Sequence, residues 1–259
     1  MSEYELLFNY GIDMQARAIY FGGEYGDPSE ETHTVSQTTI EMMVRAIHKM
    51  AAANKKPINI YMQSYGGDPY AMLYLVDTIL STPCQFRFFG GGIIASAATW
   101  IMAVCDERYL YGSTRLLFHN GTTVHAGTQT DAEIKLEEES RLQRFLEKIY
   151  AQNSKMPVAF WHEICKRDVY MTAEEAVQLG IADAIIEPLK RGKFRALRAS
   201  NYKKGNDKKT VQALIKKIFD RIKVPIIKNL KIQIPSDPID DSLVIEKDVE
   251  KDAEEVTAT

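Results

Sequence analysis

The segment GGIIASAATWIMAV, Gly91–Val104, places Ser96 between alanines just after a glycine-rich stretch. Serine at the buried start of a helix is a common place for an acyl-transfer nucleophile. It also fits a helix where its hydroxyl bonds back to a carbonyl. Acyl transfer through serine needs a base to take the hydroxyl proton, a group to hold that base, and donors for the developing oxyanion. Of the five histidines, His33 lies in a polar loop, His48 within a Lys/Arg-bearing helical stretch, and His162 beside Trp161 and Glu163. His119 closes the apolar run RLLFHN, and a residue at the end of a strand in an α/β sheet sits at the rim where sites gather. His125, six residues on, is its local competitor. The pair of glycines in SYGGD lets backbone N–H groups approach a substrate closely, though an ordinary strand-to-helix turn would also use it. Spacing alone does not choose the acid among Asp68, Asp77, Asp106, Asp131, Asp168 and Asp183.

The elements that must position these groups alternate between two periods. ARAIYFGG, PINIYMQS and CQFRFFG read as strands, and ERYLYGSTRLLFHN as two more. VSQTTIEMMVRAIHKMAAANKK and AMLYLVDTILST have helical spacing, and the segment around Ser96 reads as helical. Asp131–Met156 reads as a long amphipathic helix with many opposite charges at i,i+4, followed by two helices and the strand IADAIIE. Repeated strand–helix–strand units predict an α/β fold with a parallel sheet flanked by helices.

The 259 residues, 45% hydrophobic and 26% charged with a net charge of -3, suit one large globular domain with an appendage. Neither nucleic-acid binding nor an acidic substrate is indicated by that balance. Composition changes at Pro188. Residues 190–231 hold about fifteen Lys or Arg against two acids, and acids dominate from Asp237 to Glu255. The expectation is one domain over 1–188 and a flexible basic-then-acidic tail over 189–259, with VQALIKKIFDRIKV able to form a basic amphipathic helix. Three cysteines, widely spaced, fit neither a zinc site nor a disulfide framework and suit a reducing compartment. No apolar run approaches the roughly 20 residues of a bilayer span, and the acidic start predicts no secretory signal. A cytoplasmic protein without cofactor or metal is expected.

Four stretches together resemble the Clp peptidases, the ClpP proteolytic subunits. INIYMQSYGGDPYAMLYLVDTI resembles that family's strand, Ser-Pro-Gly-Gly turn and helix, and GGIIASAATW its Gly-x-Ala-Ala-Ser-x-Gly-Ala nucleophile segment. RLLFHN resembles its histidine strand, and KRDVYMTAEEAVQLGIADAI its aspartate segment and last helix. The resemblance spans about Ala16 to Glu187 and implies the ClpP/crotonase-type fold of repeated β-β-α units. It implies Ser96 as nucleophile, His119 as general base and Asp168 as orienting acid, with the Gly66 and Ala97 N–H groups as oxyanion donors. The run GTTVHAGTQTD falls where the family pairs with substrate backbone, which implicates Gly127 and Thr128 in substrate binding by β-augmentation. The helix from Asp131 falls where the family interlocks two heptameric rings into a tetradecamer, and Arg167–Asp168 would link ring contact to triad geometry. Tyr65 in place of the turn proline, Ala97-Ala98-Thr99 without the usual glycine, and Thr122-Thr123-Val124 in place of Gly-Gly depart from the pattern and bear on substrate preference.

The resemblance thus implies a serine endopeptidase that cuts unfolded polypeptide in a closed oligomeric chamber. The sequence has no Gly-x-x-x-x-Gly-Lys-Ser/Thr loop, so ATP-driven unfolding would come from an AAA+ partner of the ClpX or ClpA kind. Competing readings are a phage capsid-maturation (prohead) protease with the same triad, a serine–lysine peptidase using Lys55 or Lys56, a crotonase-like acyl-CoA enzyme, and a non-enzymatic ring subunit. Such divergence fits a phage-encoded member.

Overall fold

The structure is a computed structural model and describes residues 2–21, 34–121, 127–186 and 208–223. In chain order its elements are α1 (Glu3–Tyr10), β1 (Ile12–Asp13), β2 (Ala18–Phe21), β3 (Thr34–Val35), α2 (Gln37–Ala53), β4 (Ile58–Ser64), β5 (Gly66–Gly67), α3 (Pro69–Ser81), β6 (Phe86–Ala95) and α4 (Ala98–Val104). There follow β7 (Glu107–Tyr111), β8 (Arg115–Phe118), α5 (Gln129–Gln152), α6 (Val158–Cys165), β9 (Val169–Thr172), α7 (Ala173–Gln178), β10 (Ala184–Ile186) and α8 (Lys208–Ile222).

β4 shows why a sheet forms. Ile58, Ile60, Met62 and Ser64 alternate inward, and the residues between them face out. The main path of the sheet is β1-β2-β4-β6-β7-β10, parallel except at β1–β2. Inward side chains join α2, α3, α4 and the later helices in one apolar core. On the other face the register sets Tyr20, Tyr61, Phe89 and Tyr109 side by side, with centroid separations of 4.8, 4.7 and 5.3 Å across four strands. The expected α/β architecture is what the chain adopts.

β6 changes partners along its length. Phe86–Gly90 runs between β4 and β7, whereas Ile93–Ala95 pairs with β8, which in turn pairs antiparallel with β9. Sequence pattern alone predicts a strand only to Gly90 and a helix through Ser96. The strand in fact continues to Ala95 and the helix begins at Ala98. A run of small and β-branched residues does not discriminate the two periods; the β8 edge, contributed by residues twenty positions on, decides it.

One further element goes beyond the sequence reading, and a helix that reading allowed for is packed against the core. The pattern offers only helices and one strand after Met156, yet Val169–Thr172 is a strand. Part of the expected flexible tail is folded: α8 buries Val211, Leu214, Ile215, Ile218 and Phe219 in the common core. The many basic residues suggested a solvated segment, but the lysines lie on one face and the apolar residues recur at i,i+3/i+4 on the other. The remainder of 189–259 lies outside the described residues. Among the described residues no helix is long and apolar enough to cross a membrane.

Candidate active site

Ser96 occupies the turn between β6 and α4 with φ of 54°, a left-handed conformation that costs an L-residue about 1 kcal/mol. Its N–H donates to the Leu117 carbonyl on β8 at 2.9 Å. Its own carbonyl accepts from the Thr99 N–H at 3.0 Å and the Thr99 hydroxyl at 2.7 Å. The Thr99 proton being so used, the Tyr150 hydroxyl is the donor in the 2.6 Å bond between them. Burial pushes the Tyr150 phenol well above its ordinary value, so it stays an O–H. A hydrogen-bond chain therefore runs from α5 to the strained turn, and nothing in the sequence pattern distinguished Thr99 or Tyr150 from ordinary core residues.

The glycine turn lies directly against Ser96. Gly66 has φ of +94°, and a Cβ there would stand 2.8 Å from the Ala95 carbonyl oxygen and from Ser96 Cβ, and 3.0 Å from Ala97 N. Glycine is thus required twice, by backbone conformation and by contact. The Gly66 N–H donates to Ser64 Oγ at 3.1 Å, so an incoming oxyanion would have to displace that hydroxyl. Tyr65 beside it is exposed.

His119 and Asp168 are brought together by the β8–β9 ladder. Phe118 pairs with Val169, so the residues just beyond each strand end face one another, and His119 Nδ1 is 3.7 Å from Asp168 Oδ1. The imidazole is 21% exposed and the carboxylate 70%. That separation exceeds a normal hydrogen bond. Asn120 N–H donates to the Cys165 carbonyl, fastening the histidine loop to the end of α6.

The other candidates have different tasks. Asp68 caps α3, Asp106 accepts from Phe86 N–H, Asp131 closes the capping box of α5, and Asp183 pairs with Arg108. Asp77 is an exposed position of α3. His48 is exposed on α2, and His162 bonds the buried Glu147 carboxylate at 3.1 Å. His33 and His125 lie outside the described residues. Thr128 caps α5: its hydroxyl and N–H engage Asp131 and its carbonyl accepts from the Ala132 N–H at 3.1 Å, while Gly127 beside it keeps its backbone for a substrate strand. Lys55 and Lys56 precede β4, whose far end carries the glycine turn. Seven residues of strand put about 20 Å between them and Ser96, which removes the serine–lysine reading.

The cysteines offer no rival nucleophile. Cys105 and Cys165 are buried, and burial raises both thiols, that of Cys165 to about 12. At pH 8 such a thiol is ionised to about one part in 10⁴. Native protein at pH 8 should leave both unmodified by N-ethylmaleimide over an hour while urea-unfolded chain takes up the reagent at both; stoichiometric modification of either in the native state, read by mass spectrometry, contradicts the burial argument. Among the described residues no cluster of three His, Cys, Asp or Glu is placed to hold a metal.

The sequence profile described as Clp protease matches residues 30–189, more than half of the chain. The chain belongs to the Clp protease family. It is a serine-type peptidase. The chain is 29% identical over 147 residues to the ATP-dependent Clp protease proteolytic subunit 4 of Rhodococcus jostii, covering 56% of this chain and 76% of that one. It is 29% identical over 157 residues to proteolytic subunit 2 of Pseudomonas aeruginosa (60% and 78%), and 26% over 186 residues to proteolytic subunit 2 of Chlamydia muridarum (71% and 87%). α8 lies beyond the matched region.

Proposed function

We propose that this Clp peptidase cleaves unfolded polypeptide with Ser96 as nucleophile, His119 as general base and Asp168 as the acid that orients it. One observation carries the assignment: the β6–β8–β9 register gathers a strained serine, an imidazole and a carboxylate at one edge, beside a glycine turn. His119 takes the Ser96 proton as the hydroxyl attacks the scissile carbonyl, then returns it to the leaving amine. The Gly66 and Ala97 N–H groups receive the oxyanion, the former by releasing Ser64. Water repeats the sequence to free the acyl-enzyme. The substrate chain lies extended along the backbone near Gly127.

The same reading makes the protein an oligomeric cytoplasmic chamber of stacked rings, heptameric by family resemblance, fed by a Clp ATPase of the AAA+ class. Two surfaces support partners. Ile134 and Phe145, eleven residues apart and so on one side of α5, are exposed apolar positions suited to a second copy of the chain. The aromatic row Tyr20–Tyr61–Phe89–Tyr109 offers an apolar surface on the opposite side of the sheet from the core.

Purified full-length protein should sediment as a multiple of the chain mass and degrade an unfolded polypeptide such as casein, slowly alone and faster with an AAA+ unfoldase and ATP. A monomer inert toward both casein and short peptides defeats this reading. Co-purification with capsid protein and not with an ATPase would redirect it to prohead maturation.

A further inference from the structure

We infer that α8 is a positioning element of the peptidase site, acting through Arg221 on the strand that carries Asp168. The inference rests on the Ser96–His119–Asp168 assignment proposed above. α8 lies outside the family-matched residues 30–189, yet its apolar face is part of the common core, with the Phe219 ring 5.9 Å from that of Phe160. Apolar docking would suffice for a tether. Arg221 in the last turn does more.

Its guanidinium spans two elements at once. Nη2 donates to the Tyr170 carbonyl of β9 at 2.8 Å, and Nη1 donates to Glu175 Oε1 at 3.1 Å. Glu175 is buried and already bonds the Thr172 N–H at 2.9 Å, where β9 passes into α7. Arg221 therefore grips the middle of β9 and its end together. Tyr170 pairs with Leu117 across the β8–β9 ladder, and each stands two residues from a proposed catalytic group, Asp168 on one strand and His119 on the other.

That location matters because the pair it controls is poised short of contact. His119 Nδ1 and Asp168 Oδ1 are 3.7 Å apart, and the carboxylate is largely exposed, so a shift of a few tenths of an ångström along β9 decides whether a hydrogen bond forms. A planar fork with several fixed donors fixes a strand against a helix more tightly than a single flexible ammonium.

The test uses full-length protein with Arg221→Gln and Arg221→Lys, reading kcat and KM on a short peptide, the rate of fluorophosphonate labelling, and Tm. Arg221 is exposed but its loss leaves the buried Glu175 carboxylate without its cation, so Tm is read with the kinetics to establish that each variant is folded at the assay temperature. Arg221→Gln should lower kcat and labelling rate about tenfold with KM within about twofold, as misplacement of catalytic groups does. Arg221→Lys, able to reach one acceptor, should recover part of kcat at the Tm of the glutamine variant. Parental kcat in Arg221→Gln, or a loss that merely follows Tm with no lysine rescue, overturns the inference. Parent protein unlabelled at Ser96 defeats the peptidase assignment itself, whereas a labelled parent with an unaltered glutamine variant defeats only the role of α8.

Discussion

Ser96→Ala should abolish peptide hydrolysis, with kcat down by at least about 10⁴-fold, and should leave the fold intact. The expectation has two parts. Without the hydroxyl no acyl-enzyme forms, and what remains is catalysis by the donors and binding alone. Alanine meets the same left-handed strain as serine at φ of 54°, and the N–H bond to Leu117 survives, so Tm should stay within about 3 °C. Ser96→Gly separates strain from chemistry. Glycine relieves the turn by about 1 kcal/mol, so that variant should be equally inactive yet melt a few degrees higher than the parent. A fluorophosphonate probe should label the parent and neither variant. Labelling of Ser96→Ala at the parental rate would move the nucleophile elsewhere. A Ser96→Gly that melts lower than the parent would mean the turn is held by its surroundings without cost.

How much of this was readable from the chain depends on whether the deciding contact was local. The strand over Ile58–Ser64 and the helix over Gln37–Ala53 were legible because burial follows their own periodicity. The candidate serine, histidine and glycine turn were legible as residue types at strand ends. The extension of β6 to Ala95 was not, since its small residues fit either period and β8 selects the strand. Nor was the candidate acid. Six aspartates were equivalent by spacing, and only the antiparallel ladder sets Asp168 opposite His119, just ahead of a strand of four residues too short to announce itself. For α8 the amphipathic pattern was visible but its receiving surface was not, because Phe160 and Glu175 lie well back in the sequence. In each missed case the information lies in a pairing across the fold.

Two supports depend on individual side chains: the Tyr150–Thr99 chain beneath Ser96, and the Arg221 clamp behind Asp168. One supports the proposed nucleophile from α5, the other the proposed acid from α8. Were the exposed half of α5 to meet another subunit, as proposed, its buried half would tie that contact to the serine turn.

His119→Gln should be as damaging as loss of the serine hydroxyl, about 10⁴-fold or more in kcat, whereas Asp168→Asn should cost less and by an amount that depends on assembly. A serine hydroxyl without its base is almost wholly protonated, and glutamine of similar length cannot accept the proton. At 3.7 Å in the single chain, Asp168 is expected to act there mainly through its charge on the imidazolium formed in the transition state, and to orient the ring only once the two come into hydrogen-bond contact. At about 4 Å, opposite charges attract by about 1 kcal/mol in water and about 4 kcal/mol in a partly buried setting, or roughly fivefold to 10³-fold in rate. With the carboxylate 70% exposed in the single chain, the lower end applies there. Burying the site between subunits should raise the effect toward the upper end. Comparing parent and Asp168→Asn above and below the dissociation concentration measures this: the ratio of their kcat values should grow on assembly, while that for His119→Gln stays large in both. A His119→Gln variant keeping more than a few per cent of parental kcat removes the imidazole from the relay, and with the lysines at the wrong end of β4 no other group described here stands ready to take the proton.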